Sequence, residues 1–264
     1  MNEPGGKPKA LLLLKPSEEN LLLVKKVNEI MPICGIVWEE LGFGARFRLL
    51  WRRKKRLGIF KLIDQVVYLL LRSLLSFCGF YPSIFPSLEK REKERIEKEL
   101  DFLRVRSVND PLVFEFIRDR RPELVIVSGT SILSRELIEL VKVPIINYHA
   151  GITPEYRGVY GAFWALLEGE PHLVGSTIHL IDPGIDTGAI LRQASIEIDL
   201  LKDTHLSLIE KQFLKGLELV EEVLKEFLNR GELRGYKKQG AKSKLYYHPG
   251  FTDLLKFWFK IGIR

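Results

Sequence analysis

ELVIVSGTSILSRELIELVKVPIINYH, Glu123 to His149, decides the fold. Its four apolar positions Leu124 to Val127 run without a break to Ser128 and Gly129, the pattern of a strand buried on both faces of a parallel sheet. SRELIELV, Ser134 to Val141, reads as a return helix, and VPIINYH, Val143 to His149, as the next strand. Strand, helix and strand in this order call for a parallel sheet covered by helices. In such sheets ligands bind beyond the carboxyl ends of the strands, and Ser128-Gly129 and Asn147-Tyr148-His149 both fall at such ends.

Working outward, KALLLL (Lys9 to Leu14) reads as a first buried strand and SEENLLLVKKVNEI as a helix with Ser17 at its N-cap. ICGIVWEE supplies a second strand and RVRSV (Arg104 to Val108) a third, after which Asn109-Asp110-Pro111 opens a helix. Downstream, GAFWALLEGE reads as a helix, and LVGSTIHLID and AILRQASIEI as strands joined by DPGIDTG, Asp182 to Gly188. Asp203-Thr204 caps a long amphipathic helix to about Arg230, and the tail is expected to hold short aromatic strands or loops around KLYYHPGF. The fold class is therefore α/β, Rossmann-like, with a mostly parallel sheet and helices on both faces. Residues 1–200 are expected to form the main domain, with a basic helical insert at about 45–100, and residues 201–264 a C-terminal helix and extension.

Composition narrows the function. The 264 residues are 46% hydrophobic, enough for one large core. Two cysteines, Cys34 and Cys78, make neither a disulfide framework nor a zinc pattern, so a reducing, cytoplasmic setting and no metal are expected. The N-terminal four-Leu run is too short for a signal peptide. The net charge of +7 favours an anionic partner. Much of it lies in RFRLLWRRKKR (Arg46 to Arg56) and YKKQGAKSK (Tyr236 to Lys244). The first run reads as a solvated face, and nucleic acid is not expected. The apolar segment Ile59 to Phe85 reads as a helical insert packed on the domain or on a second copy in a homodimer. Peripheral membrane contact is its alternative reading, and its charges argue against a spanning helix.

Three residues form a chemical set. Asn147, His149 and Asp186 each sit in or before a loop that follows a strand. A histidine and a carboxylate can move a proton between them, and an amide can donate to a developing oxyanion. No Ser or Cys stands in a recognisable nucleophile elbow. Asp182 reads as a turn residue and His179 as a packed, hydrogen-bonded mid-strand residue rather than a catalyst; His172, His205 and His248 read as surface or cap residues.

NYHAGITPEYRG followed by GSTIHLIDPGIDTGAI resembles the folate-dependent formyltransferase family, which includes the glycinamide ribonucleotide, methionyl-tRNA and sugar enzymes. The resemblance covers about Glu123 to Ile198. It implies the formyltransferase fold, 10-formyltetrahydrofolate as donor, and Asn147, His149 and Asp186 as the catalytic trio. It places the pterin against Val127, Ser128, Gly129, Ile132 and Leu133, and against the loop holding Asp182, Gly184 and Gly188. PEYRG is similar to the methionyl-tRNA and sugar branches, whereas LKPSEEN lacks the Gly-Ser turn of the purine enzyme. The segment after the last core strand is shorter than the barrel of the methionyl-tRNA enzymes, and no regulatory domain of the hydrolase type precedes the core. The expected acceptor is thus a small molecule, a nucleotide-linked amino sugar, met by Tyr156, Arg157, Tyr160 and Trp164. Two other acceptors stay open, glycinamide ribonucleotide and methionyl-tRNA. So does another class, a non-catalytic binding or assembly protein on the same scaffold.

Overall fold

Strand β1 (Ala10–Leu14) has all five side chains buried, because neighbours cover both its edges and both its faces. The computed structural model describes residues 8–40, 42, 58–77, 90–199, 202–203 and 205–261. The basic run Arg46 to Arg56, Cys78, the end of the apolar segment at 78–85 and the expected cap residue Thr204 lie outside the described residues. β1 pairs in parallel with β2 (Ile33–Glu39) on one side and β4 (Leu124–Ser128) on the other. β3 (Phe102–Val105) extends the sheet beyond β2, and β5 (Ile145–His149) extends it beyond β4, both in parallel. β7 (Gly175–Leu180) and β8 (Ile190–Ser195) then add antiparallel strands, giving the order β3-β2-β1-β4-β5-β7-β8. The chain reverses its direction of spread between β1 and β4, so a crevice opens beyond their carboxyl ends.

Local signals set the helices. Helix α1 (Glu18–Ile30) starts where the Ser17 hydroxyl accepts from the Asn20 amide at 3.2 Å. The insert contributes α2 (Ile59–Phe77) and α3 (Lys90–Glu99). α4 (Pro111–Arg120) is capped by Asp110, whose carboxylate accepts from the Leu112 amide at 3.0 Å. α5 (Arg135–Leu140) is capped by Ser134. α6 (Gly161–Glu168) follows the central loop, and α7 (His205–Arg230) starts beside Asp203, which accepts from Ser207 and Lys211. Two elements go beyond the sequence reading. β6 (Tyr156–Gly158) lies inside the loop and pairs with β9 (Lys244–Tyr246), and the tail ends in helix α8 (Phe251–Ile261) rather than in loops. β3 also starts two residues before the expected Arg104. It leaves the sheet after Val105, because Glu39 at the end of β2 captures the Val108 amide at 2.9 Å.

Three apolar clusters result. One sheet face packs on α1 and α7, with Val220, Val223 and Leu224 of α7 against Leu12, Ile126 and Ile146. The other packs on α4 and α5. The third joins α2, α6, α8 and β9 around Phe163 and Phe257, whose rings stack at 4.7 Å. α7, set after residue 200 in the sequence reading, thus closes the main core.

Candidate active site

Side chains alternate along a strand, so β5 turns Asn147 and His149 to one face and Tyr148 to the other. Tyr148 packs edge-on against Phe213 of α7, at 5.7 Å between rings. β7 lies antiparallel beside β5 with Asn147 opposite His179 and His149 opposite Thr177. The loop from β7 to β8 folds back over this pair. Asp182 builds its turn, accepting from the Gly184 amide at 3.0 Å and the Thr187 hydroxyl at 2.5 Å. Gly188 lets the loop close on the strand: a Cβ there would lie 1.6 Å from the Leu180 carbonyl oxygen.

This folding brings Asp186 between two imidazoles. Its Oδ2 lies 3.5 Å from His149 Nδ1 and its Oδ1 lies 3.5 Å from His179 Nε2. The Gly158 amide donates to Oδ2 at 2.8 Å. Burial opposes ionisation of Asp186. The charge that each imidazole carries when protonated and the Gly158 amide outweigh it, and they hold the carboxyl at about 2. His149 is 6% exposed. Its Nε2 meets the Tyr156 carbonyl at 2.8 Å, and a carbonyl only accepts, so Nε2 carries the proton. Burial pushes the His149 pKa below 6.5, outweighing the opposing pull of Asp186 and the Tyr156 carbonyl. At neutral pH the resting pair is a neutral His149 beside an ionised Asp186.

His179 shapes the amide. Its Nδ1 donates to the Leu180 carbonyl at 2.8 Å, which leaves Nε2 to accept from Asn147 Nδ2 at 3.1 Å. One amide hydrogen of Asn147 is thereby fixed and the other is left for a ligand. His179 is thus the packed, hydrogen-bonded residue expected from sequence, although nothing local tells that it stands opposite Asn147.

The group lines a cavity of about 890 Å³ beyond the ends of β1, β4 and β5. Val127, Ser128, Gly129, Ile132, Leu133, Asp182 and Gly184 are on its wall; Gly188 is not. Ile138 and Ile181 add apolar surface beside the Gly129–Leu133 and Asp182–Asp186 backbone. A flat ring bearing amide-like donors and acceptors fits such a slot. Of the four acceptor-side candidates only Tyr160 lines the cavity. The other three do not line it and make contacts within the fold. Tyr156 is buried, stacks on Tyr246 at 5.1 Å and reaches Glu168 at 3.3 Å. Trp164 stacks on Tyr246 and donates to the Tyr247 carbonyl at 3.0 Å. Arg157 pins the Asp182–Gly188 loop through the Ile185 carbonyl at 3.0 Å. Tyr246, Tyr247 and His248 from the tail complete the rim, a contribution the sequence reading missed.

A mostly parallel sheet with a buried His149 and half-buried Asn147 and Asp186 together over its switch-point crevice defines a Rossmann-like protein with a candidate site of three polar side chains. Residues 86–224 match the formyl transferase family, and the chain belongs to that family. A methionyl-tRNA formyltransferase of Caldanaerobacter subterraneus subsp. tengcongensis is 34% identical over 159 residues, covering 60% of this chain and 50% of that one. The chain spans about half the length of the curated relatives it matches. Solved structures share the fold at low identity. A sugar N-formyltransferase from Shewanella sp FDAARGOS_354 superposes with a TM-score of 0.56 at 18% identity, over 90% of this chain and 76% of that one. An N-formyltransferase from Helicobacter canadensis in complex with folinic acid and dTDP-3-aminofucose gives 0.58 at 16% identity, over 89% and 70%.

Proposed function

We propose that the protein transfers a formyl group from 10-formyltetrahydrofolate to a primary amine. The observation that carries this reading is the meeting of Asn147, His149 and Asp186 at one wall of the cavity. The donor supplies a formyl carbon at the amide level of oxidation, open to attack by a neutral amine. Asn147 donates its second amide hydrogen to the negative charge that grows on the formyl oxygen. His149 takes the proton that the amine loses at Nδ1, where Asp186 holds the resulting imidazolium. Return of that proton to the departing nitrogen leaves His149 neutral again. His179 keeps the Asn147 amide aimed.

The proposed acceptor is an amino sugar carried on a nucleotide. Support comes from Tyr160 on the rim, an aromatic face for a sugar or base, and from fold relatives that are sugar N-formyltransferases. Methionyl-tRNA is the second reading, favoured by the names of the sequence relatives and by the net charge of +7. The first test is calorimetry with folinic acid, followed by formyl transfer to dTDP-linked 3- and 4-amino sugars, methionyl-tRNA and glycinamide ribonucleotide. Asn147→Ala, His149→Ala and Asp186→Ala should each cut turnover by about 10²–10⁴-fold, while each variant stays folded. Folded wild-type protein that binds no folinic acid would move the weight to a non-catalytic role for the scaffold.

A further inference from the structure

Helix α2 carries two faces of opposite character. Its inner face is moored to the rest of the fold. Lys61 bridges Asp64 at 3.0 Å and Asp253 of α8 at 2.6 Å. Gln65 donates to the His248 carbonyl, and Tyr68 is buried in the third cluster. The outer face is bare. Phe60 is 86% exposed, Leu70 65%, Leu74 59% and Ile63 53%, with Ile59, Val66, Val67 and Leu69 beside them. Ile63, Val67, Leu70 and Leu74 follow at intervals of three and four, so they form one stripe. Eight of the large apolar side chains exposed among the described residues lie on this one helix. α8, packed against α2, adds Trp258 and Phe259, the latter 90% exposed.

The charge next to this stripe says what would cover it. From Arg46 to Arg56 the sequence carries seven Lys and Arg, no acid, and Phe47 and Trp51 between them. That run joins α2 at Gly58. A cationic segment joined to an apolar helical face is complementary to a surface that is anionic at its head groups and apolar beneath them. Spanning is a different matter: no helix among the described residues is long and apolar enough to cross a membrane, and Lys61, Asp64 and Gln65 bind α2 to its own fold. We infer that the outer face of α2 seats the protein on the surface of an anionic lipid bilayer, with the helix lying in the plane of the interface.

The test is flotation of the full chain with phosphatidylcholine vesicles, with and without phosphatidylglycerol. The protein should float with the anionic vesicles at low salt. The bound fraction should fall about tenfold at high salt or without the anionic lipid. The double variant Ile63→Glu/Leu70→Glu should lower it about tenfold as well, with far-UV dichroism and folinic acid binding unchanged, because both side chains point away from the fold. Three results would overturn the inference. They are failure of the wild type to float with anionic vesicles, flotation that the double variant leaves untouched, or a wild-type dimer in sedimentation equilibrium that the double variant dissociates and that shows no lipid binding. The wild-type lipid and salt series decides the matter even where the double variant proves unstable.

Discussion

Asp186 adopts φ 50°, in the left-handed region that side-chain-bearing residues seldom enter. Asp tolerates it better than most, and the cost is on the order of 1–3 kcal/mol. That geometry aims the carboxylate back between His149 and His179. Its return is electrostatic. The folded pKa of about 2 lies below the ordinary 3.8, so Asp186 stabilises the fold above about pH 4 and loses that contribution as pH falls toward 2. The amount is about 2 kcal/mol. Urea unfolding at stepped pH should show this loss in the wild type, and Asp186→Asn should flatten it between pH 4 and pH 2; an unchanged slope would remove the claim. His149 titrates in the opposite setting. Its imidazole resonance should move with a midpoint below 6.5, since burial disfavours the charged ring. Asp186→Asn should push that midpoint lower still, because the carboxylate is what raises it. A midpoint that rises in the variant would mean that Asp186 does not face the ring. Asn147, His149 and Asp186 were legible in the sequence because two local motifs carry them. The pairing of His179 with Asn147 was not: it depends on a cross-strand register 32 residues away. Nor did sequence reveal that Tyr156 and Trp164 pack on the protein's own tail, or that Arg157 donates to the loop while its buried Nε keeps no hydrogen-bond partner among the described residues.

Elements whose limits are set by their own residues were read well. Ser17 and Asp110 cap helices where the sequence places them, because a cap needs only its own next turn. Elements set by distant partners were read less well. β3 stops short of Val108, whose amide Glu39 of β2 takes, and β6 pairs with β9. α8 was missed because its apolar residues answer to α2 and α6. Glu39 shows how such a distant partner serves the site. Buried at the end of β2, it accepts from the Val108 amide at 2.9 Å, the Ser131 amide at 2.6 Å and the Ser131 hydroxyl at 2.5 Å. Ser131 belongs to the Gly129–Leu133 wall of the cavity. Glu39→Ala leaves the buried Val108 amide and the half-buried Ser131 amide without partners and should cost on the order of 2–4 kcal/mol. It should also weaken folinic acid binding more than Asn147→Ala does, because the wall loses its clamp. Equal binding by wild type and a folded Glu39→Ala protein would show that the wall holds its shape alone.

At the scale of the molecule, two bodies of unequal depth meet at the site. The sheet core is covered on both faces, and β1 is buried along its whole length. The cluster of α2, α6, α8 and β9 is covered on one side, while α2 leaves its outer face exposed. The parallel sheet was legible because its strands are continuous apolar runs. This second body was not, since it is assembled from residues nearly two hundred apart, as in the Lys61 to Asp253 bridge. Local opening follows the number of buried contacts that must be broken. Amides of α2, α8 and β9 should therefore exchange with deuterium through partial opening, well before those of β1, β4 and β5, which should exchange only on global unfolding. β9 carries Tyr246 and leads into Tyr247 and His248, so opening of this body also opens the cavity rim. A ligand that fills the cavity up to that rim should slow exchange in β9 and α8 while leaving β1 unchanged. Folinic acid alone, held at the Gly129–Leu133 wall, should protect less than folinic acid together with a nucleotide-linked amino sugar. Uniform protection across the chain, or equal slowing of β1 and β9, would mean that the site and the sheet open as one unit.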